Sequence, residues 1–178
     1  MNNPWKTVKE NLIHHSPFGF DFYNNDVITP AGKNGKFIVL AGRDFTATVA
    51  VTTDKKFILI RQWRYIMNCE CLEIPAGMTN EDENILDGAK RELLEETGAK
   101  SDDWQEISTY WVANGVSRIR GHIFFAKNAV FTGQKHLDET EATTVETFTY
   151  PELKEMIDKN IINDDRSIIG LLLVEKYL

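Results

Sequence analysis

Three glutamates near the middle of the chain, Glu92, Glu95 and Glu96, have the residue type and the spacing for metal chemistry. They lie in the stretch PAGMTNEDENILDGAKRELLEETGAK, which runs from Pro75 to Lys100. On a helix, residues three and four positions apart share a face, so the three carboxylates point the same way. Like charges at this spacing repel each other by about 0.2–0.5 kcal/mol per pair. The row is therefore either a solvated helix face or a site for a positively charged group.

Carboxylate oxygens are hard ligands that suit Mg²⁺ or Mn²⁺, ions that keep part of their water shell and bind alongside substrate phosphates. A row of three glutamates on a solvent-facing side of the helix can hold such ions without enclosing any one of them. Gly77 allows a sharp turn that would bring the carbonyl of Ala76 to the same cluster. The alternative interpretation is an amphipathic helix with no ligand, which is the usual explanation of a glutamate-rich helical run.

The full spacing is more specific than the glutamates alone. Gly77 is followed by five residues, then Glu83, then seven residues, then the run RELLEETGA from Arg91 to Ala99. This arrangement resembles the Nudix box, the signature of hydrolases that act on a nucleoside diphosphate linked to another group. Every fixed position of the box is matched, and Ala99 stands where the family usually has a larger aliphatic residue.

The resemblance implies roles for the residues of the box. Glu92 and Glu96 would be the principal metal ligands, Glu95 would assist them in binding and catalysis, and the carbonyl of Ala76 would complete the set. The supporting residues around them would be Arg91, Glu83 and Gly77.

The sequence on the N-terminal side of the box resembles a narrower group, the ADP-ribose and nucleoside diphosphate sugar pyrophosphatases. The run RQWRY begins at Arg61, and LEIPAG leads directly into the box. The resemblance implies that Arg61 and Arg64 contact the phosphates or the ribose of the substrate, as guanidinium groups do well. The alternative is that one of the two arginines braces a subunit interface.

The resemblance extends to the acidic segment LDETEATTVETF, which begins at Leu137. In this group a loop of that kind supplies the catalytic base. Glu139 matches the earlier glutamate of the loop and is predicted to be the base, with Glu141 as base or auxiliary metal ligand. A polar, solvated loop is the alternative explanation of these acidic residues.

Further downstream the chain departs from the group. Members that prefer ADP-ribose usually carry a proline about fifteen residues beyond the box, whereas this chain has no proline between Pro75 and Pro151. The departure favours a wider or different range of nucleotide sugars. Trp111, with its neighbour Tyr110, is a candidate to stack on a nucleobase or a candidate core residue, and Arg118 is a candidate phosphate contact or a surface charge.

Length and composition fit this interpretation. At 178 residues, with 42% hydrophobic and 26% charged residues, the chain has the composition of one soluble globular domain. Its net charge of −7 argues against general nucleic-acid or acidic-membrane binding. The sequence shows no apolar run of membrane-spanning length and no signal peptide pattern, which predicts a cytoplasmic protein. Cys69 and Cys71 would face the same side of a strand as reduced thiols, with no metal partner in sequence.

The hydrophobic pattern predicts strands on both sides of the helix that carries the glutamates, and further helices near the end of the given sequence. Strand-like runs precede the box and return after it, and helical patterns occupy about 151–159 and 165–177. The box helix is predicted to begin near the pair formed by Asn80 and Glu83 and to end at Gly98. Together these patterns predict an α/β sandwich with a mixed sheet, and the resemblance to the Nudix box implies the α/β/α arrangement of the Nudix fold.

The N-terminal segment is predicted to differ in role from the rest of the chain. Residues 1–36 would form an antiparallel strand region and residues 37–178 the hydrolase domain. Three aromatic residues alternate along this segment and would lie on one face of a strand: Phe18, Phe20 and Phe22. Such a face is too apolar to be exposed to solvent on a small domain. In the group that the chain resembles, such strands pack against a partner subunit, so the resemblance implies a homodimer; the alternative is that this face covers the chain's own core.

Together these observations predict a metal-dependent pyrophosphatase that cleaves a nucleoside diphosphate sugar, of the ADP-ribose or GDP-mannose type, into a nucleoside monophosphate and a sugar phosphate. Two alternatives stay open. One is a Nudix hydrolase of another nucleoside diphosphate derivative, such as a dinucleotide or coenzyme A. The other is a non-catalytic Nudix module that senses nucleotide sugars.

Overall fold

The computed structural model describes residues 3–133 and 143–178. The chain divides into two compact units. The N-terminal unit comprises Met1–Asp44 and Tyr110–Arg120, and the larger unit comprises Phe45–Thr109 and Gly121–Leu178. The division of function at residue 36 stays a prediction.

The N-terminal unit contains an antiparallel sheet built on one long strand. Its strands are β1 (Lys6–Lys9), β2 (Leu12–His15), β3 (Phe20–Ile28) and β4 (Asn34–Gly42). Strand β4 pairs with β3 along its whole length, while β1 and β2 pair with the two halves of the other edge of β3. The turn between β3 and β4 places Gly32 at a left-handed φ of 74°, a conformation that glycine adopts without steric cost.

The larger unit contains all but three residues of a mixed sheet that carries the box; those three are Tyr110, Trp111 and Arg120. Its strands are β5 (Phe45–Thr52), β6 (Phe57–Arg64), β7 (Cys69–Glu73), β8 (Ala76–Met78), β9 (Ala99–Lys100), β10 (Asp103–Trp111), β11 (Arg120–Phe131) and β12 (Thr143–Phe148). The order across the sheet is β10-β11-β5-β6-β12, with β7 on β6, β8 on β5 and β9 on β11. Strand β11 runs parallel to β5, whereas β5 and β6 are antiparallel, so the sheet is mixed as predicted.

The helices are α1 (Ile85–Thr97), α2 (Tyr150–Asp158) and α3 (Asp165–Leu173), and a 3₁₀ turn at Val174–Tyr177 follows α3. Helix α1 ends at Gly98, which has the left-handed φ of 71° predicted for its C-cap. Its N-cap is Asn84, whose side chain accepts the Leu86 N–H, so the helix begins later than predicted. Within the described ranges, no helix is long and apolar enough to cross a membrane.

Helices α1 and α3 cover opposite faces of the sheet. Leu93 of α1 packs in one buried cluster with Ala50 of β5, and Gly170 of α3 lies so close to Val49 that an added Cβ would come within 2.9 Å of its Cγ2. Neighbouring residues of a strand point to opposite faces, so Val49 and Ala50 face different helices. The predicted α/β/α sandwich is confirmed.

Candidate active site

The box begins in strand β8, where Gly77 lies opposite Thr46 of β5. A Cβ atom added at Gly77 would overlap the carboxylate of Glu92. The backbone of Gly77 has no left-handed φ, so the expected sharp turn is absent. Glycine is required here because it leaves room for the Glu92 carboxylate against the strand.

Glu96 is fixed to the same strand from the next turn of α1. Its side chain is only 2% exposed, and its Oε2 accepts the backbone N–H of Ala76 at 2.9 Å. The expectation that all three glutamates lie on a solvent-facing side of the helix is wrong for Glu96. A buried carboxylate needs compensating donors, and one of them is this amide. The predicted role of the Ala76 carbonyl in metal binding stays a prediction.

Arg91 joins the acidic residues of the box. Its Nε and Nη2 donate to the two carboxylate oxygens of Glu83 at 2.9 and 3.0 Å. Its Nη1 donates to Glu92 at 2.7 Å and to Glu95 at 2.8 Å, and Nη2 also reaches the Met78 carbonyl at 3.1 Å. The hydrogen bonds from Arg91 lower the pKa of Glu83, and the bonds to Glu83 are the largest cause of the raised pKa of the Arg91 guanidinium. Arg91 therefore offsets the mutual repulsion of the carboxylates and fixes their positions.

The donor set of this cluster fits a partly hydrated hard cation. Among the residues that the structure describes, no group of three acidic, histidine or cysteine side chains is placed to hold a metal ion by itself. Mg²⁺ does not need three protein side chains, because it keeps several waters and is usually bound by one or two carboxylates together with substrate phosphates. Glu92 and Glu96 provide carboxylates of that kind, and the space above Gly77 lets Glu92 approach the strand.

Of the two arginines predicted to bind substrate, Arg61 is held by carboxylates of the neighbouring strands. It donates to Glu146 of β12 through Nε and, at 3.3 Å, through Nη2, and its Nη1 lies 3.2 Å from Glu70 of β7. The hydrogen bond to Glu146 is the main cause of the raised pKa of Arg61. Arg61 thus links three strands of the sheet.

Arg64 leads to a residue that the sequence reasoning missed, Glu73. This glutamate is 1% exposed and accepts from Arg64 Nε at 2.8 Å, from Arg166 Nη2 at 3.1 Å and from Gln62 Nε2 at 3.4 Å. The available signal was a charged residue inside the apolar run LEIP directly before the box, where an unpaired charge is too costly to bury. Glu73 orients Arg64 and connects β7 to the start of α3.

Trp111 and Arg118 lie in the N-terminal unit. Trp111 is exposed, and the Arg120 guanidinium lies 5.0 Å from its ring centroid. Arg118 forms an ion pair with Glu10 and lies 6.0 Å from the ring of Tyr23. Their predicted contacts with substrate stay predictions.

Glu139 and Glu141 lie outside the described residues, so the assignment of the catalytic base stays a prediction. The structure resumes at Thr143, the first residue of β12, which is paired with Gln62 of β6. Gln62 is the same residue that contacts Glu73.

Comparisons with known proteins agree with the box. The NUDIX domain family matches residues 42–169. The chain is 29% identical over 167 residues to ADP-ribose pyrophosphatase of Bacillus subtilis (strain 168), covering 93% of this chain and 90% of that protein. It is 26% identical over 148 residues to the methanol dehydrogenase activator of Bacillus methanolicus, covering 83% of this chain and 80% of that protein. A crystal structure of an ADP compounds hydrolase superposes with a TM-score of 0.86 at 19% identity, covering 98% of this chain and 94% of the other, which shows the shared fold.

The chain therefore belongs to the Nudix family. The predicted resemblance to the ADP-ribose pyrophosphatase group is confirmed, and so is the prediction of a Nudix hydrolase that acts as a pyrophosphatase. Nudix hydrolases generally use divalent metal ions.

Proposed function

We propose that this protein is a divalent-metal-dependent pyrophosphatase of nucleoside diphosphate sugars, of the ADP-ribose or GDP-mannose type, which releases a nucleoside monophosphate and a sugar phosphate. One observation carries the proposal: both carboxylates lie against β8. Glu92 occupies the space that a side chain at Gly77 would fill, and Glu96 accepts the Ala76 N–H. The similarity to the Bacillus subtilis ADP-ribose pyrophosphatase supports the substrate class.

In this proposal Glu92 and Glu96 hold Mg²⁺ or Mn²⁺, assisted by Glu95 and the Ala76 carbonyl. When bound, divalent ions neutralise charge on the diphosphate and make a water molecule more acidic. Arg91 keeps the carboxylates in place through its four hydrogen bonds to Glu83, Glu92 and Glu95. Glu139, or Glu141 in its place, takes a proton from the attacking water.

Arg61 and Arg64 supply positive charge for the diphosphate on a protein that is acidic overall. Glu73 uses the Nε and Nη2 groups of Arg64, which holds the guanidinium plane in one orientation. A guanidinium fixed in this way loses less conformational entropy when it binds a phosphate than a free side chain does.

Two further residues complete the proposed substrate contacts. Trp111 stacks on the nucleobase, and Arg118 contacts a phosphate.

We place the enzyme in a reducing compartment such as the cytoplasm, since Cys69 and Cys71 are free thiols with their sulfur atoms 3.8 Å apart.

A substrate panel tests the proposal. The protein is incubated with Mg²⁺ or Mn²⁺ and ADP-ribose, GDP-mannose, UDP-glucose, NADH or a dinucleoside polyphosphate, and the nucleotide products are separated by ion-exchange chromatography. We expect at least one nucleoside diphosphate sugar to have a kcat/KM at least about tenfold above those of NADH and the dinucleoside polyphosphate. Faster cleavage of either of those two would instead favour a Nudix hydrolase of another nucleoside diphosphate derivative.

A further inference from the structure

A cavity of about 480 Å³ lies in the larger unit, away from the box. Its floor includes Val51 and Phe57, at the end of β5 and the start of β6, and Phe125 of β11. Val51 is five residues beyond Thr46, the partner of Gly77, which corresponds to about 17 Å along an extended strand. The two positions differ by five, an odd number, so Val51 and Thr46 face opposite sides of the sheet. The cavity is therefore separate from the carboxylate cluster.

Two aromatic pairs form walls of this cavity. Phe57 and Tyr150 have ring centroids 5.4 Å apart with planes tilted by 31°, and Phe125 and Tyr177 have centroids 6.3 Å apart with planes tilted by 42°. Such walls favour a flat, apolar ring, since aromatic side chains stack on it without needing a specific hydrogen bond. The volume lies within the range of about 300–1,000 Å³ that is usual for small-molecule sites.

Positive charge lines the same cavity. Lys55 and Lys127 contribute to its lining, and in the described part of the chain no carboxylate lies within ion-pair distance of either ammonium group. Lys127 Nζ lies 5.3 Å from the ring centroid of Phe125, which keeps the charge at the aromatic wall. Two such cations on a chain with a net charge of −7 form a local attraction for an anion.

An irregularity in strand β11 places a polar side chain at the same cavity. Strand β11 has an irregular register against β5 between Ala126 and Ala129, and Asn128 within it has a left-handed φ of 53°. Irregularities of this kind re-aim side chains and often adjoin binding sites. Asn128 lines the cavity and brings an amide that both donates and accepts hydrogen bonds.

We propose that this cavity is a second, non-catalytic site for a nucleoside monophosphate. The base stacks between the Phe57–Tyr150 and Phe125–Tyr177 pairs, and the phosphate lies between Lys55 and Lys127. A phosphate dianion matches the two lysines in charge, which an aromatic carboxylate with one negative charge does not. This site goes beyond the proposed catalytic function, because binding there needs no metal and no cleavage.

Protein-observed NMR tests the proposal independently of catalysis. ¹⁵N-labelled protein in EDTA is titrated with AMP, and amide shifts map where the nucleotide binds. We expect saturable shifts at residues 55–57, 125–128 and 149–150. In the K55E/K127E variant the Kd for AMP should rise at least tenfold. The matched variant K6E/K159E makes the same change in net charge at two exposed lysines and should keep the wild-type Kd.

Two further probes separate the parts of the ligand. Adenosine, which lacks the phosphate, should bind at least tenfold more weakly than AMP but shift the same amides, and indole-3-acetate, an aromatic carboxylate, should also bind more weakly. The proposal is overturned if AMP shifts none of these amides, if K6E/K159E loses binding as much as K55E/K127E does, or if indole-3-acetate binds as tightly as AMP. Thermal unfolding of both variants checks that their folds are kept.

Discussion

In the candidate active site, the Glu92 carboxylate lies against the Cα of Gly77, so one added methyl group should move it. We expect Gly77→Ala to lower kcat/KM by about 10²-fold, the cost of displacing a reacting group by about 1 Å. Gly115→Ala is the matched control, since an added Cβ there meets no atom within 4 Å. Steady-state kinetics on the best substrate of the panel measure both. Equal activity of the two variants would show that the position of Glu92 does not matter.

Two substitutions distinguish the roles of Glu139 and Glu141. We expect Glu139→Gln to lower kcat by about 10²–10⁴-fold, the usual contribution of a general base, with little change in KM or in the Mg²⁺ dependence. Glu141→Gln should show the smaller defect. An inactive Glu141→Gln with a nearly active Glu139→Gln would mean that the roles are exchanged. If both variants keep full activity, the base lies elsewhere.

Some features of the candidate site could be predicted from the sequence and others could not. The spacing of the box was enough to predict that Glu92, Glu95 and Glu96 share one side of the helix, because helical periodicity fixes their relative positions, whereas the supporting role of Arg91 came from the resemblance to the Nudix box. The spacing could not show that Glu96 is buried or that Gly77 leaves room for the Glu92 carboxylate, since both depend on how β8 packs against α1. Glu73 was missed because its partners come from two other elements, Arg64 from β6 and Arg166 from α3, and only the fold brings them to one carboxylate.

Among the elements, β6, β7 and α3 are connected by the buried carboxylate of Glu73. We expect Glu73→Gln to lower the free energy of unfolding by at least about 2 kcal/mol, because it leaves two guanidinium groups without their shared counter-charge. The penalty stays below that of a fully buried pair, since both arginines are partly exposed. Urea unfolding followed by circular dichroism measures it.

The control for this prediction is Glu155→Gln, which removes an exposed carboxylate from an i,i+4 pair with Lys159. We expect a change of no more than about 0.5 kcal/mol there. Equal urea midpoints for Glu73→Gln and the wild-type protein would contradict the structural role of Glu73.

The long elements were predictable and the short ones were not. Strands β5, β6, β10, β11 and β12 lie on both sides of the box, where strand-like runs were predicted, and the C-terminal helices lie close to the predicted ranges 151–159 and 165–177, because their apolar patterns are long enough to show a period. Strands β7, β8 and β9 have two to five residues each and were not identified as separate strands. Their pairing partners, and not their own sequences, make them strands.

For the whole molecule, the remaining prediction is the homodimer. One face of the N-terminal sheet carries Phe22 and Leu40 as a cross-strand pair, with Ile38 on the same side, and Ile38 is 50% exposed. An exposed apolar face on a small protein commonly binds another copy of the chain. We expect a dimer at micromolar concentration, and Ile38→Glu should shift it towards monomer.

Light scattering coupled to size-exclusion chromatography measures the molar mass of the wild-type protein and of the Ile38→Glu variant. Val130→Glu is the control, because Val130 is 53% exposed and lies on a strand of the larger unit. A monomeric wild-type protein would refute the dimer, and equal dissociation of the two variants would place the interface elsewhere.

The carboxylate face of α1 is proposed as the metal-dependent catalytic centre, and the Glu96→Gln variant is the test of this proposal. The amide keeps an oxygen that accepts the Ala76 N–H, so the fold should be retained while the charge is lost. Asp87→Asn makes the same charge change at an exposed position of the same helix and serves as the control. At saturating Mg²⁺, we predict that Glu96→Gln lowers kcat/KM by at least about 10²-fold, while Asp87→Asn stays within about twofold of wild type. A folded Glu96→Gln variant with wild-type activity would show that this face of α1 is not the catalytic centre.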